Sequence, residues 1–351
     1  MPPPAPADAI QESMSTPTLI DVDVEVTVTD RPDPPRAGAG PRGRRRAPRR
    51  TWRRSRFAYA LVAPAVVFMV LVHVLPAIGG LALSFKKFNI FTFHELFGAP
   101  WNGLENYRSI LLDSDNPLHT GFWGAVVNTV QYTFWTVTGT LVLGLAVALL
   151  LNRKMRGQRV ARTLMLVPWI VPSYVAAVLW AFMWQSDVGI INKILVDYTH
   201  LLGHRPIWLL GPNTMWAIVI PSIWRGMPLA ILIFLAGLSA QPQELHEAAA
   251  IDGAGPWRRF RFITLPLLRP LIGVQLLFGV IYAAYQYAIP TVMFGSNPGP
   301  DADLMMTFIV RQSFSNSLYG LGAAASTMLM LAMLVWVAVW YRAFRRDLEV
   351  T

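Results

Sequence analysis

Polar and aromatic side chains that stand in otherwise apolar stretches are the residues of this sequence best suited to chemistry. Hydroxyl and amide groups can bind the hydroxyls of a sugar, and flat aromatic rings can stack on the apolar faces of a pyranose. Candidates for such a substrate path are Asn128, Gln131, Tyr132, Trp224, Arg225, Tyr282, Tyr285 and Gln286. Hydrogen bonds between helices explain each of these side chains at least as well, so both interpretations stay open.

Arg225 is the most conspicuous of these residues, because it lies about halfway along an apolar stretch. A charged side chain is costly in lipid and normally faces a cavity or a partner. We therefore weigh a role in lining a cavity against an ion pair or carbonyl contact that only stabilises helix packing. Pro221, Gly226 and Pro228 surround Arg225 and predict a broken or bent helix, whose free carbonyls need partners or water.

The elements that carry these side chains are predicted to be membrane-spanning helices. The chain is 54% hydrophobic and 14% charged, which is too apolar for an ordinary soluble domain. Six apolar stretches approach or exceed the roughly 20 residues that a spanning helix needs: 57–84, 122–151, 163–184, 214–238, 268–292 and 318–341. They lack the alternation of a barrel strand, so we predict an all-α, polytopic membrane protein. Gly139, Gly144 and Ala146 indicate close helix packing.

The distribution of charge predicts the orientation of these helices. Lys and Arg are concentrated before the first span, in the second and fourth connections and after the last span. By the positive-inside rule both termini are cytoplasmic. Residues 1–56 are predicted to be a disordered basic tail, 57–346 the membrane domain and 347–351 a short tail. The Arg run over residues 42–56 fits a topology anchor that contacts anionic lipid better than a nucleic-acid arm.

A charged stretch between the fourth and fifth spans has a helix–glycine–helix pattern. In the segment 243–252, Glu244, Glu247, Ala248 and Ile251 share one helix face. Gly253 and Gly255 are predicted to break this helix. A second amphipathic helix follows over residues 257–263, and we expect Pro266 and Pro270 to stop it before the next span. The positive-inside rule places the whole loop, residues 239–267, in the cytoplasm.

The loop resembles the "EAA" coupling loop in the membrane subunits of ATP-binding-cassette (ABC) importers, in the sugar branch that includes the maltose and glycerol-phosphate permeases. The matching pattern is Glu247, Ala248, Ala249, Gly253, Ile263, Leu265 and Pro266. Further stretches are similar, in order, to that family: 75–76, 83–85, 103–107, 128–129, 161–163, 167–169, 189–192 and 236–238. The resemblance therefore covers roughly residues 57–346.

The resemblance implies a multi-pass permease subunit of the plasma (inner) membrane that imports a carbohydrate, of di- or oligosaccharide size, by alternating access. Its implied partners are a second, homologous permease, a dimer of ABC ATPase subunits and an extracytoplasmic sugar-binding protein. The residues implied to couple the chain to the ATPase are Glu244, Glu247, Ala248, Ala249, Ile251, Asp252, Gly253, Ile263 and Pro266. His246 stands where the family commonly has Tyr, and Gly255-Pro256 stiffens the turn more than usual.

No catalytic motif accompanies these features. The sequence has no GxxxxGK[ST] phosphate loop, no HExxH and no GxSxG, and it has no cysteine. We therefore expect no enzymatic activity, cofactor or metal in this chain, with ATP and Mg bound by the partner ATPase, and no nucleic-acid partner. Two alternatives remain. An ion-coupled secondary transporter needs intramembrane carboxylates, which the spans essentially lack, and a membrane scaffold leaves the coupling loop unexplained.

Overall fold

The computed structural model describes residues 51–95, 98–153 and 155–348. The predicted tail over residues 1–50 and the last residues, 349–351, lie outside these ranges. The chain divides into two compact units, Met1–Leu61 and Val62–Thr351. Of the first unit the structure describes residues 51–61, which already belong to a helix. The helix therefore starts inside the stretch that the sequence assigned to the tail.

Every regular element in the described ranges is helical. The first seven α-helices are α1 (Thr51–Met69), α2 (Leu75–Leu83), α3 (Glu105–Leu111), α4 (Pro117–Leu151), α5 (Gln158–Ile170), α6 (Ser173–Met183) and α7 (Ile190–Asn192). The next seven are α8 (Thr214–Ser239), α9 (Gln243–Ile251), α10 (Pro256–Arg259), α11 (Leu265–Ala284), α12 (Ala288–Phe294), α13 (Met305–Val310) and α14 (Tyr319–Leu348). Short π-helical segments lie at Val70–Val74, Lys193–Tyr198, Phe260–Thr264 and Arg311–Ser315, and 3-10 turns lie at Ile90–Glu95 and Gly211–Asn213.

Five helical stretches of the described chain are long and apolar enough to cross a membrane. They are Tyr59–Leu83, Pro117–Leu151, Gly211–Ser239, Pro256–Phe294 and Tyr319–Asp347. Each overlaps one predicted span, so the all-α, polytopic fold is confirmed. The orientation of the termini stays a prediction.

The remaining predicted span, 163–184, is not a straight helix. It is divided into α5 and α6, which meet at an angle of 96°. Pro172 stands at the break and disfavours helical geometry at the residue before it. Val171 accordingly has extended backbone, with φ −66° and ψ 125°. Counted as one bent span, the pair is the sixth.

Helix α8 corrects the prediction of a break around Arg225. It is unbroken over Thr214–Ser239 although Pro221 and Pro228 lie inside it. A proline leaves the carbonyl four residues earlier without its usual N–H donor. For Pro221 that carbonyl is Ala217, and the indole N–H of Trp184 donates a hydrogen bond to it at 3.1 Å. An external donor thus replaces the missing backbone bond.

The segment after α9 corrects a second prediction, because Pro266 and Pro270 do not stop the helix. Helix α10 continues through the π-helical segment Phe260–Thr264 into α11 without a break. Pro266 follows directly after the π-helical segment, where the N–H of Leu265 donates to the carbonyl of Phe260, five residues earlier, so the regular α-helical pattern is already interrupted at the proline. The predicted short second helix is therefore the beginning of a spanning helix.

Helices α4 and α8 make the most extensive helix pair of the second unit. Their backbones approach closely where glycine faces the partner: a Cβ on Gly144 would lie 2.7 Å from the Cβ of Ala230, and one on Gly139 would overlap Ile223. This confirms the sequence prediction of close packing at both glycines. Fully buried Ala148, Ala230 and Phe234 continue the contact toward the end of α8.

Candidate functional site

A cavity of about 580 Å³ lies among α4, α5, α6, α8, α11 and α12. This volume is within the range of roughly 300–1,000 Å³ found for small-molecule sites. Its polar and aromatic lining consists of Tyr132, Thr136, Thr140, Trp169, Ser173, Ser222, Arg225, Gln275, Phe278, Tyr282, Tyr285 and Gln286. Hydroxyls, amides, rings and one guanidinium suit a hydroxylated ligand with apolar faces, which is the chemistry of a sugar.

Five of the eight predicted substrate-path residues line this cavity: Tyr132, Arg225, Tyr282, Tyr285 and Gln286. The structure places the other three elsewhere. Asn128 donates through its side-chain amide to the carbonyls of Pro300 (2.6 Å) and Asp303 (3.1 Å), so it holds the segment before α13. Gln131 is exposed and Trp224 packs edge-on against Trp180, with ring centroids 5.9 Å apart.

Tyr132 forms part of the buried wall of the cavity. Its side chain is 1% exposed, and its hydroxyl donates to Oγ of Ser222 at 2.7 Å. Ser222 in turn donates to the carbonyl of Ile218 on its own helix at 2.7 Å. This chain of hydrogen bonds joins α4 to α8 beside the cavity, so the Tyr132 hydroxyl serves helix packing as well as lining the wall.

Arg225 is half-buried and, unlike Tyr132 and Ser222, has few hydrogen bonds to the protein. Its Nε lies 3.5 Å from the carbonyl of Val171 at the bend between α5 and α6, at the outer limit of a hydrogen bond. No other hydrogen bond or ion pair of Arg225 joins it to the described residues. The cavity lining contains neither Asp nor Glu.

Seven polar or aromatic lining residues were not among the sequence candidates: Thr136, Thr140, Trp169, Ser173, Ser222, Gln275 and Phe278. Thr136 and Thr140 lie one and two turns after Tyr132 on α4, a helical spacing that could have found them. Ser222 lies about one turn before Arg225 on α8, so the same spacing applies to it. Trp169, Ser173 and Gln275 come from other helices, and only packing brings them to the same cavity.

The loop between α8 and α11 presents its first helix, α9, to solvent. Glu244, Glu247 and Ala248 are exposed, Ala249 is half-buried, and Ile251 is 87% exposed. Asp252 and Gly253 follow the helix and are exposed, whereas Ile263 is half-buried in the π-helical segment and Pro266 is exposed. The predicted coupling residues on α9 therefore form an open surface that carries a large apolar side chain.

The end of α9 has the hydrogen bonds of a Schellman motif. Gly253 has φ +76°, and its N–H donates to the carbonyl of Ala250 at 3.1 Å. The N–H of Ala254 donates to the carbonyl of Ala249 at 2.8 Å. Glycine is favoured at this position because a left-handed backbone is strained for other residues. The turn predicted at Gly253 is confirmed.

Side chains also tie α9 to the base of the next spanning helix. Gln241 donates to the carbonyl of Thr264 at 3.2 Å, and its Oε1 lies 3.1 Å from Nε2 of His246. On the outer face of α9, Gln243 donates to Glu247 at 2.7 Å. The Gln241 bridge was missed by sequence reasoning, since it joins residues 23 positions apart.

Known proteins are similar to this chain in sequence and in architecture. Residues 140–350 match the family model described as "Binding-protein-dependent transport system inner membrane component". The trehalose/maltose transport system permease protein MalF of Thermococcus litoralis is 33% identical over 300 residues, covering 84% of this chain and 97% of that protein. The sn-glycerol-3-phosphate transport system permease protein UgpA of Escherichia coli is 34% identical over 287 residues, covering 81% and 92%.

Among solved structures, a bacterial ABC transporter involved in the import of the acidic polysaccharide alginate superposes with a TM-score of 0.68 at 21% identity. The match covers 84% of this chain and 96% of that one, which supports the fold. Together with the family match, these findings confirm the multi-pass membrane architecture. The chain belongs to the family of binding-protein-dependent transport system inner membrane components.

Proposed function

We propose that this chain is the permease subunit of an ABC importer that carries a carbohydrate into the cytoplasm. The observation that carries the proposal is a polar, aromatic cavity within the spanning helices of a chain of this family. The relatives named as trehalose/maltose and glycerol-3-phosphate permeases support the carbohydrate class. Tyr282, Tyr285 and Gln286 supply the rings and the amide that such a solute requires.

The exposed surface of α9 is the docking element in this proposal. Ile251 is an apolar anchor, 87% exposed, and Glu247 adds a negative charge on the same helix. In the docked state the partner covers the Ile251 side chain, and burial of its apolar surface stabilises the contact. The partner is a dimer of ABC ATPase subunits, which binds ATP and Mg and hydrolyses the ATP that this chain does not. Both chain termini are cytoplasmic, on the same side as the ATPase.

Alternating access follows from this arrangement. Closure of the ATPase dimer on ATP moves α9, and α9 moves the helices around the cavity from inward to outward access. A second, homologous permease completes the membrane unit, and an extracytoplasmic binding protein delivers the solute. The alternatives of an ion-coupled transporter and a scaffold gain no support, because the cavity lining has no carboxylate and the family is a transport family.

The decisive experiment is isolation of the tagged chain from its native membrane, with uptake of labelled saccharides by the same cells. We expect an ABC ATPase to co-purify, and Glu247→Lys to abolish both co-purification and uptake while the chain stays in the membrane. Arg261→Lys, an exposed and charge-preserving change in the same segment, is the control. Normal uptake with Glu247→Lys and with Gly253→Pro would exclude α9 as the coupling element.

A further inference from the structure

The charge of the cavity is unbalanced. Arg225 lies about 17 Å from the start of α8, at 1.5 Å per residue, and it is the charged member of a lining without Asp or Glu. Taking a charge out of bulk water is unfavourable unless another charge or several hydrogen bonds compensate it. Such a residue inside a membrane domain is by default a functional one.

The hydrogen bonds of Arg225 leave most of its binding capacity free. A guanidinium has five N–H donors in a planar fork. The contact with Val171 uses Nε at 3.5 Å, and neither terminal nitrogen bonds to a described residue. These terminal nitrogens are not enclosed either, since Arg225 contributes no buried unsatisfied atom. The fork that binds planar oxyanions in two-point contacts is thus open to the cavity.

Other arginines of the described chain show what happens where a carboxylate is available. Each of the ion pairs found there joins an arginine to an aspartate: Arg205 to Asp197, Arg269 to Asp347 and Arg311 to Asp303. Asp303 is buried, so the fold does supply a carboxylate to an arginine in a confined place. Among the described residues, no carboxylate pairs with Arg225.

From this imbalance we infer that the cavity takes an anionic carbohydrate, and that Arg225 binds its carboxylate, phosphate or sulfonate group. The inference rests on the proposed function and names the substrate class of the same site. Low-dielectric walls around an uncompensated positive charge focus its field and attract anions. Tyr282, Tyr285 and Gln286 then contact the ring and the hydroxyls, while Arg225 selects the charged group.

Two neighbours of Arg225 on α8 are small. Ser222 and Gly226 lie within one turn of it on α8, and both line the cavity. A Cβ on Gly226 would meet Thr140 at 3.4 Å, so the wall across from α8 is close but not overlapping. In the proposed complex, a carboxylate bound by Arg225 would lie beside these small residues.

The test compares matched probes in the complete importer, reconstituted in liposomes with its ATPase, partner permease and binding protein. The probes are digalacturonate against galactobiose, and glucose 6-phosphate against glucose. We expect transport of an acidic member at a rate at least about tenfold above its neutral partner. We expect Arg225→Gln to lower that rate about 30-fold or more, as for loss of a confined charge partner, with unchanged affinity of the binding protein for the sugar.

Two further variants separate binding from assembly. Arg225→Lys keeps the charge but not the two-point fork, so it should retain the preference for the acidic probe at a reduced rate even if Arg225→Gln fails to assemble. Arg269→Gln removes an arginine outside the cavity and should leave the preference unchanged.

Faster transport of the neutral probes would overturn the anionic class and leave the carbohydrate function standing. Equal loss of neutral and acidic transport in Arg225→Gln would assign Arg225 to packing and overturn the inference. An ATPase-bound complex that moves no saccharide of either kind would overturn both proposals.

Discussion

The indole N–H of Trp184 donates a hydrogen bond to the carbonyl of Ala217, which Pro221 leaves without its helical donor. Trp184 is 2% exposed, and Ala217 is fully buried. A buried carbonyl without a donor is unfavourable, by about 1–3 kcal/mol. Trp184, which follows the end of α6, therefore stabilises the helix that carries Arg225.

The first prediction concerns this pair. Trp184→Phe should lower the midpoint of thermal unfolding of the purified chain in detergent, since it leaves the Ala217 carbonyl unpaired and removes part of a buried ring. Pro221→Ala restores a backbone N–H to that carbonyl, and in its presence Trp184→Phe should cost about 1 kcal/mol less. The measurement is a double-mutant cycle of unfolding midpoints. Additive effects would show that the hydrogen bond contributes nothing.

The second prediction tests the contact between α4 and α8. Gly144→Ala places a Cβ 2.7 Å from that of Ala230, so the two helices must separate. We expect destabilisation by about 1–3 kcal/mol, although alanine is the better helix former by about 1 kcal/mol. Gly124→Ala is the matched control on the same helix, because no atom lies within 4 Å of its added Cβ. Unfolding midpoints should move in opposite directions. A shift of the same sign in both variants would contradict the close approach.

The third prediction concerns the turn after α9. Gly253→Ala forces alanine to φ +76°, which costs about 1–2 kcal/mol. The turn should open more often, so limited proteolysis between residues 252 and 256 should be faster and uptake lower. Gly255→Ala is the control: φ there is −64° and the added Cβ meets nothing within 4 Å. Equal cleavage rates for the two variants would argue against a strained left-handed turn at Gly253.

The fourth prediction concerns the bridge from α9 to the next spanning helix. Gln241→Leu removes the bonds to Thr264 and His246 while keeping a side chain of similar length. Movement of α9 should then be coupled more weakly to movement of α11. The number of sugars transported per ATP hydrolysed should therefore fall, while the chain still binds the ATPase. Gln243→Leu is the comparison, since its bond to Glu247 stays within α9. An unchanged transport ratio for Gln241→Leu would remove the bridge from the coupling path.

Two features of this protein could be predicted from the sequence: the multi-pass helical fold and the turn at Gly253. Apolar runs of spanning length predicted the multi-pass helical fold, because a membrane accepts few other backbones. The turn at Gly253 could be predicted because glycine tolerates the left-handed backbone found at helix ends, which is a property of the residue itself. A close helix contact at Gly144 could also be predicted, since small residues are typical of such contacts, although the sequence did not identify the partner helix.

Tertiary structure decided what depended on partners distant in sequence. The chain bends at Pro172, whereas helix α8 continues through Pro221. The prolines alone do not predict this difference, because the helix at Pro221 depends on Trp184, which donates a hydrogen bond to the carbonyl of Ala217. The continuity from α10 into α11 was likewise not predictable from Pro266, because the π-helical segment that precedes this proline cannot be read from the sequence. Packing also separated the polar candidates. Asn128 donates hydrogen bonds to the carbonyls of Pro300 and Asp303, whereas Arg225 lines the cavity.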